Sequence, residues 1–322
     1  MKEDAKKYVL RCPDCQKFAA NTHQHPNNLI NITAPWPFHM WGLDIIGPLI
    51  EQERTGYKFV LVACDYFTKW IEAIPLSNIK QGDVRKFIWE NIITRFGLPK
   101  RLITDNGTQF VGKDIKAFYT LWKIEHSRSA PRYPQCNGQA EAANRQILEV
   151  LKKKLEVHAS KWPNELENVL WAYRTTPRSS TGMSPFSLCF GVEAVIPTEL
   201  TYGTSRSLLV DTELNNQLWS FGVDLLEERR YHAAKKLEQY QQQLKRAYNK
   251  GVRPRTFQPG EMVMRRMFPN KRLEKIGKLN ANWEGPYIIK NALGNGAYRL
   301  QTQEGEDVKN PWNSFHLKKF YQ

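Results

Sequence analysis

The sequence predicts a mixed α/β core that is followed by a long helix and a small β-barrel. Three observations lead to this prediction. Apolar runs of the β type dominate residues 40–76, helical and strand patterns alternate between residues 81 and 130, and short strands separated by Gly-rich turns begin at residue 257. A strand-rich opening followed by alternating helices and strands is typical of a mixed sheet flanked by helices. Short strands split by turns are typical of a small barrel.

The predicted core begins after Ala34-Pro35-Trp36-Pro37, because two prolines exclude a helix or a central strand there. Its strands are predicted in the apolar run from Met40 to Gly47-Pro48 and at Tyr57–Cys64, Trp70–Ile74, Arg101–Thr104 and His126–Ala130. Its helices are predicted at Gln81–Phe96, Lys113–Ile124, Gly138 to about His158, and Trp162–Arg174. A long polar helix, Gln217–Arg246, then leads to the predicted barrel strands at Pro259–Met264, Trp283–Ile289 and Ala297–Leu300.

Two acidic residues lie in or directly after predicted strands. Asp44 interrupts an apolar run, and such a carboxylate is costly to bury unless it is paired or binds a metal. Asp105 follows the strand Arg101–Thr104, which Asn106-Gly107 ends because both residues tolerate positive φ. A carboxylate at the end of a buried strand lies where α/β sheets present their chemistry. Asp65 also ends a strand, and for it we expect a role in stabilising the turn.

The third acid, Glu141, lies in the first turn of the helix that begins at Gly138. Apolar residues recur every four positions on one face of this helix, and Glu141 lies on a different face together with Arg145 and Lys152. The apolar positions are Ala143, Ile147, Leu151 and Leu155. Asp44, Asp105 and Glu141 together would supply the hard oxygen ligands that suit Mg²⁺ or Mn²⁺.

The motifs around these acids resemble those of a retroelement integrase, and the greatest similarity is to gypsy-type (Metaviridae) LTR retrotransposon integrases. The motifs are Trp41-Gly42-Leu43-Asp44, Thr104-Asp105-Asn106-Gly107-Thr108-Gln109-Phe110, and Tyr133-Pro134-Gln135-Cys136-Asn137-Gly138 leading to Glu141. Thirty-five residues separate Asp105 from Glu141, which is the spacing of the retroviral-type DDE family. The resemblance implies a ribonuclease-H-like core with a mixed five-stranded sheet. It also implies that Asp44, Asp105 and Glu141 are the catalytic residues and hold two Mg²⁺ or Mn²⁺ ions.

The resemblance also suggests a division of the chain and a reaction. Trp283-Glu284-Gly285-Pro286-Tyr287 is similar to the GPY/F module, which implies an SH3-like barrel that binds DNA and supports multimerisation. The implied domains are a remnant of a zinc-binding module at 1–30, the catalytic core at 31–200, a helical linker at 201–255 and the barrel at 256–322. The implied reaction trims the terminal-repeat ends of element DNA and joins them to host target DNA. Because two DNA ends are joined, a homo-oligomer is expected.

Cys12 and Cys15 form half of a zinc site, since a structural zinc ion needs four ligands. The resemblance implies a His-His-Cys-Cys module whose histidines come before the cysteines. No histidine precedes Cys12, whereas His23 and His25 follow the pair at a spacing that suits no usual zinc site. We expect the chain to begin inside the zinc finger, and we do not expect zinc binding by this chain alone.

Several basic and polar residues near the acids are candidates for contact with DNA. Arg132, Tyr133, Gln135 and Asn137 lie in a Pro-rich loop before Glu141, and ordinary exposed loop residues are an equally good interpretation of each. Arg145 and Lys152 share the helix face of Glu141. They are either a solvated stripe or contacts to phosphate groups, and their position beside the acids favours phosphate contact.

The overall charge agrees with a polyanionic partner. The net charge is +15, and residues 245–322 hold sixteen Lys or Arg against six Asp or Glu. No apolar run approaches the ~20 residues that span a bilayer, and no signal peptide opens the chain. Five cysteines without a framework spacing argue against a secreted disulfide protein. We therefore expect an intracellular protein, and the implied substrate suggests the nucleus.

Two other functions are compatible with the same residues. One is a nuclease of the same fold, such as a ribonuclease H, although that family usually needs a fourth acid and lacks a basic barrel. The other is a non-catalytic or domesticated DNA-binding scaffold. Joined rather than merely cut DNA would exclude the nuclease, and metal-dependent activity of the purified chain would exclude the scaffold.

Overall fold

The computed structural model describes residues 2–20, 32–51, 54–128, 138–154, 161–204, 212–252, 255–267, 280–294 and 296–322. The chain forms two compact units. One unit comprises residues 31–243, and the other combines residues 1–30 with residues 244–322. Among the helices in the described ranges, none has the length and apolar character that crossing a membrane requires.

The unit of residues 31–243 is built on a mixed five-stranded sheet. Its strands are β1 (Met40–Ile46), β2 (Phe59–Asp65), β3 (Ile71–Leu76), β4 (Arg101–Thr104) and β5 (Glu125–Arg128). They lie in the order β3-β2-β1-β4-β5, with β2 antiparallel to both β1 and β3 and with β4 parallel to both β1 and β5. This is the predicted ribonuclease-H-like arrangement, which the structure confirms.

Some helices of the chain pack on this sheet, and others lie elsewhere in the chain. In chain order they are α1 (Lys2–Arg11), α2 (Pro13–Phe18), α3 (Gln81–Phe87), α4 (Thr94–Phe96), α5 (Thr108–Val111), α6 (Lys113–Leu121), α7 (Gly138–Lys154), α8 (Trp162–Thr175), α9 (Pro185–Phe190), α10 (Pro197–Tyr202), α11 (Thr212–Asp224) and α12 (Leu226–Lys250). The predicted helix Gln81–Phe96 is helical throughout, but a π-helical stretch, Ile88–Ile93, joins α3 to α4. The predicted long helix Gln217–Arg246 is two helices, α11 and α12, which meet at Leu225.

The alternation of side chains along β1 divides the core into two layers. Trp41 and Leu43 point to one face, where they pack with Phe87 of α3 and Phe118 of α6. Ile46 points to the other face, where the buried residues of α7 and α8 pack against β1 and β2. Because successive strand residues face opposite sides of a sheet, Asp44 belongs to the α7 face. The apolar residues of α7 that the sequence predicts for this face, Ala143, Ile147 and Leu151, are buried there, and Leu155 lies outside the described residues.

A buried ion-pair network holds the edge of this sheet to two helices. Glu72 of β3 is only 2% exposed, and its Oε2 atom accepts hydrogen bonds from Arg95 Nη1 at 2.9 Å and Arg174 Nη2 at 3.0 Å. Its Oε1 atom accepts a hydrogen bond from Trp70 Nε1 at 2.8 Å. A buried carboxylate is tolerated when charged partners and hydrogen bonds compensate for lost hydration. Glu72 therefore fastens α4 and α8 to β3.

Asp65 stabilises the turn after β2, as the sequence predicts. Its carboxylate is fully buried and accepts hydrogen bonds from the backbone N–H and the hydroxyl of Thr68, both at 2.7 Å. It also accepts a hydrogen bond from the backbone N–H of Phe38 at 3.0 Å. With its oxygens occupied by donors of the turn, Asp65 is a structural acid.

The C-terminal part of the other unit is an antiparallel five-stranded sheet, which we call the barrel. Its strands are β6 (Met262–Arg266), β7 (Trp283–Gly294), β8 (Ala297–Gln301), β9 (Trp312–Asn313) and β10 (Leu317–Lys319), in the order β10-β6-β7-β8-β9. Seven buried residues form its core: Phe257, Val263, Ile289, Tyr298, Leu300, Trp312 and Leu317. The first three strands agree with the prediction, and β9 and β10 are additional. The finer domain division at residues 200 and 255 stays a prediction.

Candidate functional site

Asp44 lies in β1, and Asp105 directly follows the neighbouring strand β4. The parallel pairing of β1 and β4 aligns Gly42 with Ile103, and continuing this alignment by two residues along each chain segment leads to Asp44 and Asp105. Neighbouring strands are about 4.8 Å apart, and residues aligned in this way point to the same face of the sheet. Both acids therefore belong to the α7 face, at the edge where β1 and β4 end.

Asn144 connects α7 to Asp44. Its Nδ2 atom donates a hydrogen bond to Asp44 Oδ2 at 2.9 Å, and the backbone N–H of Ile45 donates to Asp44 Oδ1 at 2.9 Å. The Asn144 side chain is 7% exposed, and its Oδ1 atom is buried without a hydrogen-bond partner within the described part of the protein. Glu141 lies one helical turn before Asn144, so the same contact brings the first turn of α7 to Asp44.

Asn144 is not among the site residues that the sequence predicts. The available signal was its position three residues after Glu141, since residues at this separation are neighbours on a helix surface. A polar residue there, beside the apolar positions Ala143 and Ile147, lies at the boundary between the buried face of α7 and the face that carries Glu141. The sequence alone does not reveal that the partner of Asn144 is Asp44, one hundred residues earlier.

The electrostatics of Asp44 show that the acids influence one another. Burial raises the pKa of Asp44 to about 6, and the negative charges of Asp105 and Glu141 contribute to the rise. The hydrogen bonds from Ile45 and Asn144 act in the opposite direction. The ionised form of Asp44 is thus disfavoured in the folded protein unless positive charge compensates for the burial and the repulsion.

Asp105 is held by a tight turn and by a polar cluster behind it. Its Oδ1 atom accepts a hydrogen bond from the backbone N–H of Gly107 at 2.9 Å, which is the Asx-type geometry that Asn106-Gly107 favours. The preceding residue, Thr104, is fully buried, and its hydroxyl donates to the carbonyl of Asp105 at 2.7 Å. The Oγ1 atom of Thr104 also lies 2.9 Å from His126 Nε2.

His126 is kept uncharged by its surroundings. Burial lowers its pKa to about 4, and the nearby charges of Arg128 and Lys116 contribute to the decrease. Its ring lies 4.7 Å, centroid to centroid, from that of Tyr119. Because the single hydroxyl proton of Thr104 is donated to Asp105, His126 serves as the donor in its contact with Thr104, with the proton on Nε2. His126 and Thr104 together anchor the backbone at Asp105.

Glu141 is half-buried, and Arg145 and Lys152 are exposed on α7. Their exposure is compatible with the predicted contact to phosphate groups, which stays a prediction. The other predicted DNA contacts, Arg132, Tyr133, Gln135 and Asn137, lie outside the described residues.

The metal site predicted from the three acids is only partly assembled. Asp44 and Asp105 share one edge and one face of the sheet, and Glu141 is close enough for its charge to affect Asp44. In the described ranges, however, no three His, Cys, Asp or Glu side chains are arranged so that they could hold an ion. The three-acid ligand set therefore stays a prediction.

Cys12 and Cys15, the predicted half of a zinc site, interact with each other. Backbone and side-chain hydrogen bonds from Cys15 lower the pKa of Cys12, and the hydrogen bond to Cys12 raises the pKa of Cys15. Both thiols are free. His23 and His25 lie outside the described residues, so their relation to the pair is not part of the described structure.

Two regions of the chain match known domain families. Residues 34–134 match the integrase core domain, a range that contains Asp44 and Asp105 and ends before Glu141. Residues 257–321, which cover the barrel, match a domain of unknown function, DUF8803.

Curated relatives are viral and transposon polyproteins. The Gag-Pol polyprotein of feline leukemia virus is 31% identical over 246 residues, which is 74% of this chain and 13% of the polyprotein. The retrovirus-related Pol polyprotein from transposon 412 of Drosophila melanogaster is 26% identical over 322 residues, which is 100% of this chain and 25% of the polyprotein. The chain thus spans a quarter or less of the length of these relatives.

A solved structure shares the fold along the whole chain. The chain is similar to a chain of the simian T-cell lymphotropic virus intasome in complex with PP2A regulatory subunit B56 gamma, with a TM-score of 0.60 and 16% identity. The similarity covers 100% of this chain and 92% of that one.

Proposed function

Because the chain belongs to the retroviral-type integrases through its core domain, we propose that it is a retrotransposon integrase of the DDE type. It trims the 3′ ends of element DNA and then joins them to host DNA. The observation that carries this proposal is the convergence of Asp44, Asp105 and the first turn of α7 at one edge of the sheet.

The proposed catalytic residues are Asp44, Asp105 and Glu141, and their chemistry fits a divalent cation. Carboxylate oxygens are the ligands that Mg²⁺ and Mn²⁺ prefer. The raised pKa of Asp44 also fits, because a cation would offset the burial and the repulsion that disfavour its ionised form. The Oδ1 atom of Asn144, which has no hydrogen-bond partner among the described residues, provides a further buried acceptor beside Asp44. We propose that the three acids hold two such ions.

The bound cations would supply Lewis-acid chemistry, which makes an attacking oxygen more reactive and stabilises a leaving oxygen. The residues of the chain orient the acids for this purpose. Asn144 fixes the carboxylate of Asp44, Gly107 fixes that of Asp105, and His126 with Thr104 anchors the backbone behind Asp105.

Each of the two proposed steps is a phosphoryl transfer that forms one P–O bond and breaks another. In trimming, a water oxygen attacks the phosphorus and the terminal nucleotides leave, so that a free 3′-hydroxyl remains on the element DNA. In joining, that hydroxyl oxygen attacks a phosphorus of the target strand, whose own 3′ oxygen leaves. Neither step needs a covalent enzyme intermediate, and a catalytic Ser or Cys is therefore not required.

Exposed cations would hold the DNA at the site. Arg145 and Lys152 lie on the helix that carries Glu141, and the region 245–322 is strongly basic. Contacts to phosphate groups provide affinity without base identity, so these residues would position DNA of any sequence. We further propose a gypsy-type origin, assembly of several copies on the two element ends, and action in the nucleus, where the target DNA lies.

The test compares Glu141→Gln with Glu149→Gln, an exposed glutamate on the same helix. Purified proteins are incubated with labelled terminal-repeat oligonucleotides, target DNA and Mg²⁺, and joined and cut products are separated. We expect Glu141→Gln to lose joining at least ~100-fold, with Glu149→Gln similar to the wild type. Full joining by Glu141→Gln would refute the assignment. Cut but unjoined DNA from the wild type would indicate a nuclease, and an inactive wild type would indicate a scaffold.

A further inference from the structure

The C-terminal end of α2 lies against the barrel, within the unit of residues 1–30 and 244–322. The last carbonyl groups of a helix have no partner inside the helix and must find one elsewhere. Here the carbonyl groups of residues 16–19 all accept hydrogen bonds from the barrel face formed by Asn282, Trp283 and Lys318. The bonds run from Lys318 Nζ to Gln16 O, from Asn282 N to Lys17 O at 3.1 Å, from Asn282 Nδ2 to Phe18 O at 3.4 Å, and from Trp283 Nε1 to Ala19 O at 2.9 Å.

The side chain of Gln16 pairs with the edge of the barrel sheet. Strand β10 is an edge strand, and just beyond it Phe320 N donates inward to Met262 O at 2.9 Å. At Tyr321, the Nε2 atom of Gln16 donates to the carbonyl at 2.8 Å, and the Tyr321 N–H donates to Gln16 Oε1 at 2.9 Å. The amide of Gln16 thus occupies the place of a neighbouring strand, and it is only 5% exposed. An edge that is covered in this way is protected from pairing with other chains.

On the barrel side, Trp283 and Lys318 form much of the surface that contacts α2. Trp283 is 2% exposed although, among the described residues, it is not a member of the barrel core cluster. The ammonium group of Lys318 lies 4.8 Å from the centre of the Trp283 ring. A cation at the C-terminal end of a helix interacts favourably with the helix dipole. Burial nevertheless lowers the pKa of Lys318 to about 8, because its ammonium group loses part of its hydration in this position.

We infer that this face of the barrel, formed by Asn282, Trp283, Lys318 and Tyr321, is a docking site for the chain's own N-terminal segment. It recognises the free carbonyl groups at the end of α2 and the amide of Gln16. The occupant is the segment of the same molecule, and the two parts act as one module in solution. This inference goes beyond the proposed integrase activity and does not depend on it.

The docking has a consequence for the cysteine pair. Cys12 directly precedes α2 and Cys15 lies within it, so both thiols are carried by the barrel through the contacts of residues 16–19. A change of the thiols, such as oxidation or loading with a soft metal ion, would act on a helix whose other end is bound to the barrel. We therefore expect a chemical change at the thiols to affect both the N-terminal segment and the barrel.

The test measures hydrogen exchange in the full-length chain at the Tyr321 amide and the Trp283 indole N–H. Two variants weaken the contact from opposite sides. Gln16→Ala leaves the barrel sequence intact, and Lys318→Met keeps the apolar stem but removes the donor. Lys319→Met is the matched control, because the ammonium group of the neighbouring Lys319 is ion-paired with Glu261 at 2.7 Å.

We expect both variants to accelerate exchange at the two protons about tenfold, the effect of losing one well-made hydrogen bond. The core amide of Val263 should keep its wild-type rate in both variants, which excludes general unfolding of the barrel. Lys319→Met should exchange like the wild type. Unprotected Tyr321 and Trp283 protons in the wild type, or unchanged rates in Gln16→Ala, would overturn the inference. Protection that rises with protein concentration would also overturn it, because the occupant would then come from a second copy.

Discussion

Replacing Asp44 by Asn should make the protein more stable while it abolishes the proposed activity. Asn has the size of Asp but carries no charge, and its single oxygen can accept only one of the two hydrogen bonds, from Asn144 and from the Ile45 N–H, that Asp44 accepts. The pKa of Asp44 is raised from an ordinary value of 3.8 to about 6, chiefly by burial. The ionised carboxylate of Asp44 therefore destabilises the folded protein at neutral pH, and the uncharged Asn side chain removes this destabilisation.

The magnitude follows from the pKa. Each unit by which a pKa rises corresponds to about 1.4 kcal/mol, so a pKa of about 6 instead of 3.8 corresponds to about 3 kcal/mol. Solvent screening of the partly exposed Asp44 and the loss of one hydrogen bond in the variant reduce the expected gain to about 1–2 kcal/mol. An acid whose pKa is higher in the folded state stabilises the fold below its ordinary pKa, and this contribution is lost as the pH rises through about 6. The advantage of Asp44→Asn should therefore be largest above pH 7 and fall to about a third at pH 4.5.

Urea unfolding in EDTA at pH 7.5 and pH 4.5 measures this difference, with Glu149→Gln as an exposed control that should change stability by less than about 0.5 kcal/mol. Addition of Mg²⁺ at pH 7.5 should then stabilise the wild type more than Asp44→Asn, because a ligand that binds the folded state raises its stability. Equal or lower stability of Asp44→Asn at pH 7.5 would refute the electrostatic reasoning. An advantage that does not narrow at pH 4.5 would show that ionisation of Asp44 is not its cause.

Three other predictions concern Asn144, Glu72 and His126. Asn144→Ala should slow DNA joining at least about tenfold. A double-mutant cycle of unfolding with Asp44→Ala, which removes the acceptor of the Asn144 hydrogen bond, should give a coupling of about 1–3 kcal/mol, whereas additive effects would contradict their contact. Glu72→Ala should lower the free energy of unfolding by about 3–5 kcal/mol in urea, because it leaves the largely buried Arg174 without its acid and also removes the partner of the more exposed Arg95. The pKa of His126 is lowered to about 4, so its contribution to stability is present above pH 6.5 and lost as the pH falls from 6.5 to 4. When the pH is lowered from 7 to 4.5, the free energy of unfolding of His126→Gln should fall by about 1–2 kcal/mol less than that of the wild type, a figure that allows for the partial exposure of His126. An equal fall in both proteins would show that another group is responsible.

The core was predictable because its signals are local. The apolar run around Asp44, the turn residues Asn106-Gly107 and the four-residue spacing along α7 each depend on a few neighbouring residues. Short-range patterns of this kind fix the type of an element and the face that it buries. The parallel pairing that aligns Asp44 with Asp105 then follows from the sheet order of the fold.

The contacts that tune the site were not predictable, because their partners are distant in sequence. Asn144 and Asp44 are one hundred residues apart, and Gln16 and Tyr321 are 305 residues apart. No periodicity relates such pairs, and their polar side chains look like ordinary surface residues in the sequence. The short strands β9 and β10 escaped prediction for a related reason, since two or three residues are too few to show alternation.

The parallel pairing of β1 with β4 has a consequence for biosynthesis. On the ribosome, Asp44 emerges before Asp105, which follows about sixty residues later, and the Asn144 that contacts Asp44 comes later still. Domains fold as units while the nascent chain lengthens. A growing chain can therefore pair β1 with β4, which brings Asp44 and Asp105 together, but it lacks Glu141 and Asn144 until α7 has been translated. Translation that stops before that helix would yield a polypeptide with all five strands of the core sheet but without the third acid of the proposed site.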